Sequence, residues 1–297
     1  MRILFDNVNT ASSSGPNSFG KRLISELNKI GHETCTSSNN HDVQISFITM
    51  TQKTGPAALR LDGIYFNTRQ DWISQNRMIQ SSFQAADTVI YQSNFNKALS
   101  EKYFGNPRRS VVINNGTCLE TIQKIPKLSN SILDNFSEVW SCASSWRPHK
   151  RLKENVRYFL ENAPEDSCLV IAGENPDYAA DHPRVFYAGQ LSWEDCISLY
   201  KKSSTFIHLA FLDHCPNVVV DARASGCKLV VASSGGTKEI AAVGDTVVED
   251  IDWDMRPLDL YMPPTLDFSR VSRKLDEVDI DIRSIAVKYI DALRQIL

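Results

Sequence analysis

Residues 212–240, LDHCPNVVVDARASGCKLVVASSGGTKEI, read as a loop, a short helix, a buried strand, a glycine turn and a second helix start. Pro216 biases Cys215 away from helical geometry. Asn217 is then expected to cap a helix over 218–225, and Gly226 suits the left-handed residue that ends it. Residues 228–232 (KLVVA) form a short apolar run, the pattern of a strand covered on both faces. Residues 233–236 make a turn, and Thr237 is expected to cap the next helix with Glu239 in its first turn. Two helix N-termini and two carboxylates, Asp213 and Asp221, are thereby brought near one another. Helix N-termini carry unpaired N–H groups and partial positive charge, so they hold phosphate without a metal. The unit suits a phosphorylated, hydroxyl-rich ligand; an ordinary helix–strand–helix connection is the alternative.

Outward from this stretch, strands and helices alternate. Strands are expected over 2–5, 43–47, 58–61, 88–91, 110–113, 138–143, 168–172, 185–187 and 205–209. Helices are expected over 18–30, 93–103, 154–162, 193–201 and 282–297. Such alternation argues for parallel, doubly wound sheets. Residues 118–135 lack a clear strand and contain Pro126, Ser129 and Ser131. They divide the chain into an N-terminal unit, 1–120, a linker, 121–137, and a C-terminal unit, 138–281. The last helix is expected to pack back on the first unit. Ligands of such sheets bind beyond the carboxyl ends of the strands, so the site is expected in a cleft between the two units.

Composition narrows the classes. The chain has 297 residues, 42% of them apolar, and a net charge of -3 from 32 basic and 35 acidic residues. That balance implies no general affinity for polyanions, so nucleic acid is not an expected partner. Seven cysteines without C-x-x-C spacing suit reduced thiols and a cytoplasmic location. No signal-peptide pattern and no apolar run near 18 residues is evident.

Several local patterns compete for chemistry. Gly15 to Lys21 satisfies G-x4-G-K, but Arg22 follows where a P-loop needs Ser or Thr, so the Mg²⁺ ligand is missing. The loop could still present the backbone N–H groups of Gly15, Asn17 and Ser18 to a ligand, or simply turn into the helix. Asp250-Ile-Asp252 and Asp279-Ile-Asp281 match D-x-D without the context of a Mn²⁺ site, and no histidine cluster has metal-ligand spacing. No metal is assigned. The densest basic cluster is Arg147-Pro148-His149-Lys150-Arg151.

Arg60-Leu-Asp62-Gly63, Ile90-Tyr-Gln-Ser93, Ile113-Asn-Asn-Gly116, Trp146 to Arg151 and the stretch 213–240, in that order and spacing, resemble the retaining GT-B glycosyltransferases of family 4, the group 1 transferases. The resemblance covers nearly the whole chain. It implies an α/β fold of two Rossmann-like domains facing a central cleft. The acceptor would sit on the first domain and a nucleoside-diphosphate sugar on the second, with no cofactor beyond that donor.

The family's acid-x7-acid motif falls on Asp213 and Asp221, both one methylene shorter than the usual Glu. By resemblance, Asp221 would bond the ribose hydroxyls and Asp213 the transferred sugar. Backbone amides of Cys215, Pro216, Asn217 and Val218, and of Gly235, Gly236 and Thr237, would lie against phosphate or sugar (Pro216 by position, since it has no N–H). Lys150, then Arg147, would neutralise the leaving diphosphate; the family's usual Arg position holds Ser145. Asp62 stands where many members carry His. Base choice would depend on 184–188, around Phe186. UDP is favoured over GDP by family frequency alone. The acceptor is a glycan, a lipid-linked sugar or a small glycoside, and a peripheral membrane contact stays open. A nucleotide-sugar epimerase or hydrolase of the same fold, or a non-catalytic sugar-nucleotide binder, are the alternatives.

Overall fold

The computed structural model describes residues 1–297 except 38, 39 and 275. The chain begins with β1 (Arg2–Asp6), α1 (Gly15–Lys29), β2 (Glu33–Cys35), β3 (Val43–Phe47) and β4 (Ala57–Leu61). It continues with α2 (Trp72–Ala85), β5 (Thr88–Tyr91), α3 (Asn94–Phe104), β6 (Ser110–Val112) and α4 (Leu119–Lys124). The second half holds β7 (Glu138–Ala143), α5 (Leu152–Asn162), β8 (Ser167–Ala172), β9 (Val185–Gly189), α6 (Trp193–Lys202) and β10 (Thr205–His208). It ends with α7 (Asn217–Ala224), β11 (Lys228–Ala232), β12 (Thr246–Val248), β13 (Val271–Arg273) and α8 (Ile282–Arg294).

Two sheets result. The first runs β2-β1-β3-β4-β5-β6, all parallel. The second runs β13-β12-β11-β10-β7-β8-β9, parallel except for β13. Both have helices on their faces, the two-domain GT-B arrangement that the sequence leads one to expect. Their apolar strands explain the layering: β3, β4, β5, β8 and β10 are buried at every position, as strands covered on both sides must be.

The topology fixes where ligands can go. In the second sheet the order reverses between β7 and β10, whose next strands, β8 and β11, lie on opposite sides. In the first it reverses between β1 and β3. The crevice beyond the carboxyl ends at such points is the binding site of open α/β sheets.

The chain crosses between the halves more than once. Ile282, Ile285, Tyr289, Ile290 and Leu293 of α8 join Ile3, Phe19, Leu23 and Ile45 in the core of the first sheet. That burial removes the apolar face of α8 from water, at roughly 25 cal/mol for each Å² covered. A segment of the second half also docks on the first. Trp253 lies 4.8 Å from Phe66, and Leu258 N–H donates to Phe66 O at 3.2 Å.

Some local expectations fail for identifiable reasons. Asn217 is the first helical residue of α7 rather than its cap; Pro216 holds the cap position with no side-chain bond. Thr237 opens a single 3-10 turn, Thr237–Glu239, so the expected second helix is one turn long. The G-x4-G-K stretch is not a loop. α1 starts at Gly15, with Pro16 in its first turn, and Gly20 packs inside it against Val8 and Phe47. α2, α4, β2, β12 and β13 are additional to the expected elements. Gly226 does take the left-handed conformation, with φ of 95°.

Candidate active site

A cleft of about 610 Å³ lies between the domains. Ten of the expected site residues line it: Gly15, Asp62, Arg147, Lys150, Asp213, Cys215, Pro216, Asn217, Val218 and Asp221.

The C-terminal wall is built at the β7/β10 reversal. The loop after β7 carries Arg147 and Lys150, and the loop after β10 carries Asp213. Lys150 Nζ donates to Asp213 Oδ2 at 2.5 Å, and His208 Nε2, at the end of β10, lies 3.1 Å from the same oxygen. Asp213 Oδ1 accepts from its neighbour's amide, His214 N, at 2.9 Å. Burial opposes ionisation of Asp213, but Lys150 and His208 outweigh it and hold the carboxyl well below its usual range. Burial lowers the His208 pKa although Asp213 pulls it up. Neutral His208 therefore donates its Nε2–H to a carboxylate that stays charged.

The backbone beside this pair is bent on purpose. Leu212, just before Asp213, has φ of 55°, and Arg151, just after Lys150, has φ of 52°. Left-handed geometry costs a non-glycine residue about 1–2 kcal/mol. Arg151 is held by a buried pair with Asp250, Nη1 to Oδ2 at 2.6 Å and Nη2 to Oδ1 at 3.2 Å. That pair takes Arg151 out of the basic cluster and takes Asp250 out of the D-x-D pattern.

Gly235 and Gly236 support Asp213 from behind. A Cβ at Gly235 would meet Asp213 O at 2.4 Å, and one at Gly236 would meet His214 O at 2.0 Å. Gly236 N–H donates to Asp213 O at 2.7 Å. Its expected phosphate contact is thus corrected: the amide is spent on positioning the loop. Thr237 is fully buried and outside the cleft lining, as are both glycines.

Two more expectations shift. Asn17 turns its side chain into the loop before α1, accepting from Asn9 N at 2.8 Å and donating to Ser14 Oγ at 2.9 Å. Gly15 and Ser18 line the cleft and Asn17 does not, but the Ser18 N–H is taken by Ser14 O. Phe186 stacks edge-on to Phe136 at 5.8 Å and lines a separate apolar pocket of about 300 Å³.

The N-terminal wall carries Asp62, one residue past β4. Its Oδ1 pairs with Arg60 Nη1, and its Oδ2 is buried without a hydrogen-bond partner among the described residues. Arg60 is wholly buried. Its Nη2 donates to Asn115 Oδ1 at 2.6 Å and its Nε to Tyr289 OH, on α8, at 3.1 Å. The rings of Phe19 and Phe47 lie 4.3 and 4.9 Å from its guanidinium carbon. Burial pushes the Asp62 carboxyl up while Arg60 pulls it down, leaving it above the usual carboxylate value.

Side chains stitch the walls together. Asn115 Nδ2 donates to Cys215 O and to Asn217 Oδ1, both at 2.9 Å, and Asn217 Nδ2 donates to Gly15 O at 2.8 Å. Arg22, on α1, pairs with Asp221, on α7, across the cleft. Trp193 has no distinguishing mark in the sequence, Asn115 falls in the stretch Ile113–Gly116 without an assigned role, and Arg22 is marked only as the residue that breaks the P-loop pattern. Arg147 is exposed, and among the described residues its guanidinium has no ion pair or hydrogen bond.

Among the described residues no group of three or more His, Cys, Asp or Glu is placed to hold a metal ion. No helix among them is long and apolar enough to cross a membrane. All seven cysteines are free thiols.

Residues 143–255 match the family model described as Glycosyl transferases group 1. No curated protein matches the chain in sequence. Among solved structures, HepE of Anabaena in complex with UDP-glucose is similar over 99% of this chain and 100% of its own, at 14% identity and a TM-score of 0.69. Sucrose-phosphate synthase of Thermosynechococcus elongatus is similar over 99% and 98%, at 12% identity and a TM-score of 0.70. Trehalose-6-phosphate synthase OtsA is similar over 95% and 77%, at 13% identity and a TM-score of 0.60. The chain is thus a glycosyltransferase enzyme of GT-B fold, carrying the group 1 match across the wall that holds Lys150, Asp213 and Asp221.

Proposed function

We propose that the protein is a retaining, metal-independent glycosyltransferase that takes a sugar from a nucleoside-diphosphate donor, UDP in preference to GDP. The observation that carries this reading is the Lys150–Asp213 pair at the strand-order reversal of the matched domain, faced by Asp62 from the other domain. HepE, a protein of the same fold, has been solved in complex with UDP and with UDP-glucose, which supports the donor class. The acceptor is a glycan, a lipid-linked sugar or a small glycoside, bound against residues 1–120, with the donor on 138–281.

The chemistry follows from where charge develops. The bond from the sugar's anomeric carbon to the diphosphate oxygen breaks, and its electron pair stays on the diphosphate. Lys150 and Arg147 stabilise that growing negative charge; a preorganised cation in a water-poor site lowers such a barrier by several kcal/mol, roughly 2.7–4 for one donor group. The acceptor oxygen bonds to the same face of the anomeric carbon, and its proton passes to the departing diphosphate. Asp213, kept ionised, accepts hydrogen bonds from hydroxyls of the transferred sugar. Asp62 turns its unpartnered oxygen to the acceptor hydroxyl or to the positive charge on the ring. Asp221 accepts from the ribose.

The test is a donor panel of UDP- and GDP-sugars with EDTA present. Nucleoside-diphosphate release that requires an acceptor, with a product of unchanged anomeric configuration by NMR, supports the reading. Release or epimerisation without acceptor, inversion, or loss of all activity in EDTA each contradicts it.

A further inference from the structure

Both carboxylate oxygens of Asp221 are already engaged. Arg22 Nη1 donates to its Oδ1 at 2.9 Å and Arg22 Nη2 to its Oδ2 at 2.6 Å. Trp193 Nε1 donates to Oδ2 at 3.0 Å, and the Arg22 guanidinium carbon lies 5.5 Å from the Trp193 ring. The two side chains are 14% and 4% exposed, so the pair is nearly out of water. All three residues line the cleft. The pair joins α1 of one domain to α7 of the other.

A bidentate guanidinium–carboxylate pair uses both oxygens in the plane where two adjacent sugar hydroxyls would bond. Ribose and Arg22 therefore compete for Asp221. A guanidinium displaced from Asp221 but still mostly buried cannot be left unpaired, because an isolated buried charge is strongly disfavoured. Asp213 does not offer it an anion, being paired with Lys150, and Asp62 is held by Arg60. The anion that arrives with the ribose is the diphosphate.

We infer that Arg22 is a donor-phosphate ligand supplied by the N-terminal domain, held on Asp221 until the donor's ribose displaces it onto the diphosphate. This rests on the reading of Asp221 as the ribose site. The exchange keeps every charge paired: ribose hydroxyls replace the guanidinium on Asp221, and the guanidinium moves to phosphate. It also makes the site selective for the charge of the donor. A nucleoside alone must break the pair and gives Arg22 nothing in return, whereas a nucleoside diphosphate supplies the new partner.

The consequence is a difference in sign. Calorimetric titrations compare uridine with UDP, or guanosine with GDP where that is the tighter diphosphate, on the unmodified protein and on Arg22→Gln. Removing the competitor should tighten the nucleoside roughly tenfold and weaken the diphosphate roughly tenfold, the scale of a charge-assisted hydrogen bond. Arg22→Lys, which keeps the charge and loses the fork, should tighten the nucleoside while holding the diphosphate within about threefold. Thermal unfolding of each variant checks the fold; if Arg22→Gln does not fold, Arg22→Lys alone decides. Nucleoside and diphosphate affinities moving in the same direction, or neither moving, overturn the inference. An unmodified protein that binds none of these nucleotides overturns the donor reading itself, and this inference with it.

Discussion

The two walls of the cleft set a carboxylate beside a cation in opposite ways. On the C-terminal wall, Asp213 and Lys150 come from two different loops, and each is about one-seventh exposed. On the N-terminal wall, Asp62 and Arg60 are two residues apart, and Arg60 is fully buried and gripped by Asn115, Tyr289 and two phenylalanine rings. Lys150 has a flexible stem and, among the described residues, no other partner for its ammonium, so it can divide its bonds between Asp213 and an arriving anion. Arg60 cannot move without leaving a buried charge unpaired. The Lys150–Asp213 pair is therefore built for exchange of partners and the Arg60–Asp62 pair for fixed aim. The Asp62 carboxyl sits above its usual range and Asp213 below it, so falling pH neutralises the aiming wall first.

That contrast breaks most visibly at Lys150. Lys150→Ala should slow transfer by about 10²–10³-fold, the cost of losing one donor to a developing oxyanion. It should weaken diphosphate binding as well, and steady-state release of nucleoside diphosphate reads both effects. An unchanged rate and donor KM would remove Lys150 from the site.

Asp62→Asn separates the walls. Transfer should fall by roughly ten- to a hundredfold while affinity for the nucleoside diphosphate stays within about twofold, because the charge lost faces sugar rather than phosphate. In the unmodified enzyme the rate should fall on the acid side at a pH above 3.8, the ordinary Asp value, since burial raises this group. A pH–rate profile of Asp62→Asn that keeps the same acid limb would assign it to another group.

A smaller effect tests the aim. Tyr289→Phe deletes only the hydroxyl that accepts from Arg60 Nε. It should cost about 1.5–3 kcal/mol of stability, as for a hydrogen bond to a charged group, and slow transfer without changing diphosphate affinity. A diphosphate affinity that falls with the rate would place α8 in donor binding instead.

The smallest effect concerns pH and stability. Burial lowers the His149 pKa from 6.5 to about 3, with Lys150 adding to the shift, and its Nδ1 has no hydrogen-bond partner among the described residues. Unfolded His149 takes up a proton near 6.5 and the folded one does not, so stability is lost as pH falls from about 6.5 towards 3. His149→Phe, stacking on Tyr261 as the imidazole does, should flatten that part of the unfolding curve. An unaltered slope from pH 6.5 downwards would point to other groups, His214 first, whose pKa burial lowers to about 4.

The walls also differ in how far their sequence can be read. Residues 212–240 announce their elements locally, because Pro216, Gly226 and the apolar run Lys228–Ala232 each act through their own backbone. The paired sheets and the cleft followed from strand–helix alternation. α2 went unseen because its sequence, WISQNRMIQSSFQA, is mostly polar and buries Asn76 and Ser82 beside Ile79 and Phe83, which blurs the apolar stripe. Asn217 failed as a cap because Asn115 and Gly15 claim its side chain across the cleft. Arg22 and Asp221 are 199 residues apart, and no spacing rule reaches that far. At the site, what escaped the sequence is the set of bonds that exist only once the domains meet.

The most direct test of the account is a crystal structure with UDP or GDP bound. The account predicts diphosphate oxygens within hydrogen-bond reach of Lys150, the ribose on Asp221, and Arg22 turned from Asp221 to phosphate. A nucleotide seated in the separate pocket lined by Phe186, or one that leaves Lys150 on Asp213 alone and out of reach of its phosphates, would contradict it.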